Sequence, residues 1–462
     1  MKINMKFTSS AQVFQWLSKF INLERGQTPK SFRLDRMEFL AGLAGNPERR
    51  APSIHIAGSK GKGSVTGMST AILTAAGFRV ARYMSPHVID IRERICLGDS
   101  YFSEEVYCSA GDELREITEV RLPMMGNPLF NPANEDGCEP TFFELLTLYF
   151  FLCAQHGNCD TMVVETGMGG RLDSTNILDP LVSVITLIEL EHTSFLGKTI
   201  TEVAGEKAGI IKQSKPLILA KQNVEALEIF RKKAREKNSP LIYFPDIAEL
   251  SNVKVSANGT EWCQSPFRGG FSIPIPGKVQ AENAALAITA VKTAFPNIGE
   301  DAIRHGLANL NIPGRFEKIS CEPPFIIDGA HTPESLELCV ETFCSIYGEG
   351  GVLLFGCAAD KDASAMARIA HAYFSKIIIT TPGTFKISDP GLVYEDFAAV
   401  AGREKTALVP DTREAVMQAI SFARNFSEKG VSNPSVTAQR EDIAILGSGS
   451  FYLVSEIRKI IH

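Results

Sequence analysis

The chain has 462 residues, 44% of them hydrophobic and 22% charged, with a net charge of −6. Single hydrophobic cores stop growing near about 250–300 residues, so two or three domains are expected. The acid excess, with no basic block against it, excludes a nucleic-acid binder that works by phosphate neutralisation. Ten cysteines are scattered without a close pair or recurrent spacing, which excludes a zinc or disulfide framework and suits a reducing cytoplasm. The opening residues, Met1-Lys-Ile-Asn-Met-Lys6, carry no apolar run of signal-peptide length. No stretch approaches the ~20 apolar residues of a membrane helix. The expectation is a cytoplasmic monomer with small-molecule partners, without nucleic acid or membrane.

Residues 11–23 and 34–44 read as helices, with Gly26 and Pro29 marking the turn between them. Ile54 and Ile56 alternate along a buried strand that ends at Ala57. Gly58-Ser59-Lys60-Gly61-Lys62-Gly63-Ser64 follows, and 65–76 reads as an amphipathic helix. A strand at 80–83 runs into Ser85-Pro86-His87, then a helix at 103–117 and an irregular Pro/Asn/Gly stretch at 121–140. Residues 141–155 read as a buried helix. Strands alternate with loops and helices over 161–165, 182–188, 199–212 and 216–220, and a helix follows at 224–237. Asn258-Gly259 marks a hairpin within 253–263, and a helix at 281–294 closes the first half.

A second alternation begins after residue 300. Strands are expected at 325–328, 352–355, 376–380 and 443–446, with helices at 333–347, 363–374, 412–426 and 452–461. Residues 296–314 read as the boundary region and 428–440 as a mobile polar loop. Alternating strands and helices predict α/β architecture with parallel sheets. The expected division is a doubly wound, mostly parallel, phosphate-loop type domain over 1–298 and a smaller Rossmann-like α/β domain over 299–462.

Strand, glycine-rich turn and helix together aim backbone N–H groups and a helix N-terminus at a phosphate. Lys62 would reach the outer phosphates, and the Ser64 hydroxyl would bind Mg²⁺ or phosphate. Gly63 separates the lysine from that hydroxyl, unlike the strict Walker pattern. The competing reading is a turn that merely joins strand to helix. A second glycine-rich stretch, Glu165-Thr-Gly167-Met-Gly169-Gly170-Arg171-Leu-Asp173-Ser-Thr-Asn176, would crowd polar side chains at the carboxyl end of the sheet. Glu144 stands among Phe142, Phe143, Leu145 and Leu146, where an unpaired carboxylate is costly to bury. A divalent cation shared with Ser85 and His192 would be a natural partner. Spacing alone makes Lys207 a surface lysine beside an acid, and leaves Asn283, Arg315 and Asp328 undistinguished.

Taken together these stretches resemble the folylpolyglutamate synthase/dihydrofolate synthase branch of the Mur ligase family. The resemblance rests on Gly58 to Ser64, Ser85-Pro86-His87 with Glu93-Arg94-Ile95, Thr141-Phe-Phe-Glu144, and Gly167 through Asn176. It continues through His192 to Gly197, Glu206 to Ile210, Pro313 to Glu317, Asp328-Gly-Ala-His331, Phe355-Gly356 with Asp360 to Asp362, and Gly447 to Ser450. It implies an ATP-dependent ligase that joins L-glutamate to dihydropteroate or a folate through an acyl phosphate, releasing ADP and phosphate. By resemblance, Gly58, Gly61, Lys62, Gly63, Ser64, Asn283, Arg315 and Asp328 contact ATP. Ser85, Glu144 and His192 hold two Mg²⁺ ions, a carboxylated Lys207 completes the second metal site, and Lys62, Lys207 and His192 are catalytic. Ser59-Lys60 replaces the family's Thr-Asn, Thr332 replaces an Asn, and 121–140 has no clear counterpart. The alternatives are another amino-acid ligase of the superfamily, or a phosphate-loop ATPase acting as a switch or binding module.

Overall fold

The structure, a computed structural model, describes residues 6–22, 33–126, 128–130, 139–383, 386–429 and 443–461. The turn at Gly26 and Pro29 and most of the loop expected at 428–440 lie outside the described residues. Two compact units are present. One comprises 1–253, 261–273 and 280–311, the other 254–260, 274–279 and 312–462.

The first unit begins with helices α1 (Ser10–Leu17) and α2 (Leu34–Leu43). Strand β1 (Ser53–Ala57) leads through the glycine-rich loop into α3 (Lys62–Ala75), then β2 (Val80–Tyr83), β3 (Ile95–Leu97), β4 (Ser100–Tyr101) and α4 (Glu104–Glu116). Next come α5 (Phe142–His156), β5 (Thr161–Glu165), β6 (Val182–Ile185), α6 (Ile200–Lys207), β7 (Leu217–Leu219), α7 (Val224–Glu236) and β8 (Leu241–Tyr243). The eight strands lie in the order β4-β3-β2-β5-β1-β6-β7-β8. All neighbouring pairs from β2 to β8 are parallel, and β3 runs antiparallel to both β2 and β4. Every residue of β1, β5 and β6 is buried, as expected for strands covered on both faces. Aromatic residues of α5 pack with α1 and α4 against β2 and β5, while α6 and α7 cover β6 and β7.

Strands β9 (Leu250–Ser256), β10 (Gly259–Gln264) and β11 (Gly270–Ile273) form a separate three-stranded sheet with the expected turn at Asn258-Gly259. Helix α8 (Lys278–Ala294) follows. Residues read as a boundary contain α9 (Glu300–Ala308), which packs on α3 so closely that a Cβ on Gly306 would meet the Ala71 carbonyl at 2.6 Å. Pro296 and Gly299 mask this helix in the sequence.

The second unit carries β12 (Glu317–Cys321), β13 (Pro324–Ile327), α10 (Pro333–Tyr347), β14 (Gly351–Phe355), α11 (Ala363–Ala370) and β15 (Phe374–Ile379). It ends with α12 (Pro390–Ala401), β16 (Thr406–Leu408), α13 (Thr412–Lys429), β17 (Ile445–Ser448) and α14 (Phe451–Ile461). Its order is β12-β13-β17-β14-β15-β16, with only the β12–β13 pair antiparallel. The fold is the expected pair of mostly parallel α/β sheets. No described helix is long and apolar enough to cross a membrane.

Candidate active site

The glycine-rich loop leaves the central strand β1 and turns into α3, whose N-cap is Gly61 at φ +86°. Two glycines are required by space as well as by φ. A side chain on Gly58 (φ +145°) would run into Thr186, and one on Gly61 into Asn283 Oδ1. Asn283, on α8, therefore lies directly against the loop. Gly63 and Ser64 sit buried in the first turn of α3, where main-chain N–H groups have no helical partner. That turn is an anion seat in geometry as well as in sequence.

The loop is also tied to the chain after β6. Ser59 and Lys60 donate their N–H groups to the Leu187 carbonyl at 2.9 and 3.1 Å. Ser59 Oγ donates to the Glu189 carbonyl at 2.9 Å, and Lys60 Nζ lies 3.9 Å from Glu189 Oε2. The two residues that depart from Thr-Asn thus bind a neighbouring segment, and the extra lysine has its own carboxylate.

Lysines 62 and 207 converge on one carbonyl. Lys62 Nζ donates to Gly58 O at 2.9 Å, and Lys207 Nζ donates to the same oxygen at 2.7 Å. Glu191 Oε1 is 2.6 Å from Lys207 Nζ and 4.0 Å from Lys62 Nζ. Burial would push the Glu191 carboxyl up, but Lys62, Lys207 and the neighbouring His192 hold it at about 2. Burial draws the Lys207 amine down to about 8; Glu191 resists this and Lys62 adds to it. Lys207, only 1% exposed, is no surface lysine. His192 caps a short turn, Thr193–Leu196, at φ +48°, a left-handed conformation uncommon for a non-glycine residue.

Glu144 does not meet the expectation that led to a cation. It is 6% exposed, but Arg36, from α2, donates to its Oε1 at 3.0 Å and Oε2 at 3.3 Å. Oε2 also accepts the Thr141 N–H at 2.7 Å, closing a capping box at the start of α5. Both oxygens are taken, so the physical reason for placing a metal there is gone. A further buried carboxylate, on the strand beside β1, is Glu165. It ends β5, pairs in register with Ile56 of β1, and its Oε2 accepts the Ser85 N–H at 3.2 Å. Ser85 is carried on a loop shaped by Glu93, which accepts the N–H groups of Val88, Ile89 and Asp90. Arg94 Nε further holds His87 Nδ1 at 2.9 Å. Among the described residues, no three His, Cys, Asp or Glu side chains form a metal cage.

Under the second glycine-rich stretch, His55 Nε2 lies 2.8 Å from Thr175 Oγ1, which donates to Asp173 Oδ1 at 2.5 Å. Asp173 Oδ2 accepts the Met168 N–H, so this buried relay fixes the glycine turn to β1.

In the second unit, Asp328 stands just beyond β13. Its carboxylate accepts N–H groups from Phe316 and Ala330, both at 2.8 Å, and burial raises its pKa against the pull of Arg315. The Arg315 guanidinium lies 4.3 Å from the Phe451 ring centre, and His331 meets that ring edge-on. Thr332 caps α10 through a capping box with Ser335, so the departure from Asn retains a capping side chain.

Glu191 is the functional candidate that sequence reasoning missed; its one signal was adjacency to His192. Glu165 ends an apolar strand in the sequence, and its spacing alone points to no role.

A family model described as Mur ligase middle domain matches residues 124–291, and one described as Mur ligase, glutamate ligase domain matches 314–427. The chain is 33% identical over 356 residues to dihydrofolate synthase/folylpolyglutamate synthase of Bacillus subtilis (strain 168), covering 73% of this chain and 79% of that protein. It is 31% identical over 358 residues to folylpolyglutamate synthase of Lacticaseibacillus casei, covering 76% and 81%. The structure of Mycobacterium tuberculosis folylpolyglutamate synthase complexed with ADP and AMPPCP matches with a TM-score of 0.85 and 26% identity, over 98% of each chain.

Proposed function

The chain belongs to the folylpolyglutamate synthase/dihydrofolate synthase family of Mur-type ligases, and from this we infer that it joins L-glutamate to dihydropteroate or a folate at the expense of ATP. The observation that carries the reading is the phosphate loop with Lys62 at the start of α3, packed against Asn283 and adjoined by Lys207. A carboxylate oxygen of the pterin substrate attacks the γ-phosphorus, the bond to ADP breaks, and an acyl phosphate forms. The glutamate amine then attacks the acyl carbon, phosphate leaves, and the nitrogen loses a proton.

Phosphoryl transfer depends chiefly on alignment and on neutralising charge. Gly58, Gly61, Gly63 and Ser64 seat the phosphates, and Lys62 supplies a cation at the outer ones. Asn283, which lies against the loop, would contact the nucleotide as the resemblance implies. Mg²⁺ would supply further charge neutralisation, held by Ser85, His192 and Glu165, with Glu165 replacing the expected Glu144. A hydroxyl, an imidazole and one carboxylate suit a cation that keeps water and phosphate oxygens as its remaining ligands. Lys207 also suits carboxylation by CO₂, since a buried amine with a lowered pKa offers the neutral nitrogen that reaction needs.

The test is ADP release by the purified protein. ADP should accumulate only when ATP, Mg²⁺, glutamate and a dihydropteroate or folate are all present. ATP hydrolysis indifferent to both cosubstrates would favour the switch reading instead.

A further inference from the structure

The peptide group between Leu187 and Ile188 is held from both sides. Toward the phosphate loop, its carbonyl accepts the Ser59 and Lys60 N–H groups at 2.9 and 3.1 Å. On the side of β7, its N–H donates to Gln222 Oε1 at 3.1 Å. Gln222 Nε2 donates to the Thr186 carbonyl at 2.9 Å. The main-chain ladder of β6 and β7 runs as far as the bond from the Ala220 N–H to the Ile185 carbonyl, at 2.9 Å. The two Gln222 bonds continue it over the next residues of the β6 chain. A glutamine amide there offers what a strand residue offers, one donor and one acceptor.

Packing does little to place the Leu187 carbonyl, because the Leu187 side chain is 37% exposed. Gln222, Thr186 and Ile188 are buried, so both amide bonds are made away from water, where an unmet donor or acceptor is costly. A peptide group whose N–H is bonded is also a better acceptor at its oxygen, since hydrogen bonds in a chain polarise one another. Ser59 and Lys60, which rest on that oxygen, lead directly into Gly61 to Ser64 and the start of α3. The Gln222 amide is therefore one peptide group away from the phosphate loop.

We propose that Gln222 is a positioning residue for the nucleotide. It holds the Leu187–Ile188 peptide group, and through it Ser59 and Lys60, so that the phosphate loop is set before ATP arrives. The part it plays in turnover rests on the ligase reading above, whereas its effect on nucleotide affinity needs only the phosphate seat.

The experiment compares the parent protein with Gln222→Met and Phe230→Leu. The first keeps the length of the side chain and removes both bonds. The second loosens, from α7, the same hydrophobic cluster that holds Ile188 and Leu219. AMPPCP binding with Mg²⁺ is read by calorimetry, and the KM for ATP and for glutamate by ADP release. Both variants should melt below the parent. Gln222→Met should bind AMPPCP at least about threefold more weakly, with the KM for ATP raised to match and the KM for glutamate within about twofold of the parent. Hydrogen exchange at the Ser59 and Lys60 amides should quicken in Gln222→Met and not in Phe230→Leu. A loss of AMPPCP affinity smaller than about threefold overturns the proposal. An equal loss in Phe230→Leu also overturns it, because Gln222 would then serve only the stability of the fold. Should Gln222→Met not fold, Gln222→Asn decides, with the amide drawn back by one methylene. AMPPCP binding weakened at least about threefold supports the proposal, and any smaller change overturns it. AMPPCP binding needs neither glutamate nor folate. A parent that binds AMPPCP but forms no product therefore refutes the ligase reading, and Gln222 is then judged on affinity and amide exchange. A parent that does not bind AMPPCP refutes the phosphate seat and the proposal with it.

Discussion

Around the ends of β1, β5 and β6 the first unit gathers Lys62, Lys207 and Glu191, opposite charges held on shared oxygens, with Glu165 at the end of β5. At the end of β13 the second unit places Asp328 and satisfies it with two main-chain N–H groups. Both are strand ends of parallel sheets, where such folds place their ligands. The first is built from compensating charges, so losing one member leaves another unbalanced. The second is built from backbone, so its carboxylate anchors local chain as much as it offers a contact. Substitutions should accordingly act through chemistry in the first region and through local order in the second.

The largest effect should come from Lys62→Ala. Loss of a preorganised cation at the transferring phosphate should lower kcat about 100- to 1,000-fold with little change in melting temperature. An activity loss matched by unfolding would break the comparison. Next is the pair of buried glutamates. Glu165→Gln should abolish most Mg²⁺-dependent turnover in a folded protein. Glu144→Gln should instead lower stability, by about 3–5 kcal/mol if Arg36 is left with no compensating charge. Denaturant melts beside assays with varied Mg²⁺ distinguish them, and the reverse assignment would restore Glu144 as the metal ligand.

The sequence showed the phosphate loop plainly because its cause is local: an apolar strand, glycines, a lysine and a helix start lie within a dozen residues. The alternation of the second unit was readable for the same reason. What escaped depends on distant partners. Nothing near Glu144 announces Arg36, which is over a hundred residues away in another helix. Glu191 meets Lys207 only after a left-handed turn at His192 and a further helix. Strands β3 and β4, of three and two residues, are too short to show a period, and α9 begins behind Pro296 and Gly299. Helix α12 and strand β16 likewise lie outside the alternation that the sequence predicts.

Smaller effects sharpen the same contrast. Asp328→Ala would orphan the Phe316 and Ala330 N–H groups, at a cost of about 1–3 kcal/mol for a buried donor left unsatisfied. Protection of those two amides in hydrogen exchange should fall, and unchanged protection would contradict the anchoring role. His55, on β1, is held neutral by burial, with Lys212 adding to it, at a pKa of about 3 against an ordinary 6.5. Below 6.5 the unfolded chain takes up a proton that the native chain refuses, so this contribution is complete above 6.5 and is lost as pH falls toward 3. The difference in Tm between pH 8 and pH 5 should shrink in His55→Gln; an unchanged difference would remove His55 from acid sensitivity. Least of all, Thr332→Asn should alter stability by no more than about 0.5 kcal/mol, since both residues cap helices well. A loss of 2 kcal/mol in a denaturant titration would show that the Thr–Ser335 cap is specific.

The central claim is that the pterin substrate's carboxylate is phosphorylated before the amine attacks, and an isotope measurement addresses it most directly. With ¹⁸O in that carboxylate, one labelled oxygen should appear in the released phosphate in step with amide formation. Phosphate free of ¹⁸O, with ADP still produced, would contradict the acyl-phosphate route and return the chain to the ATPases.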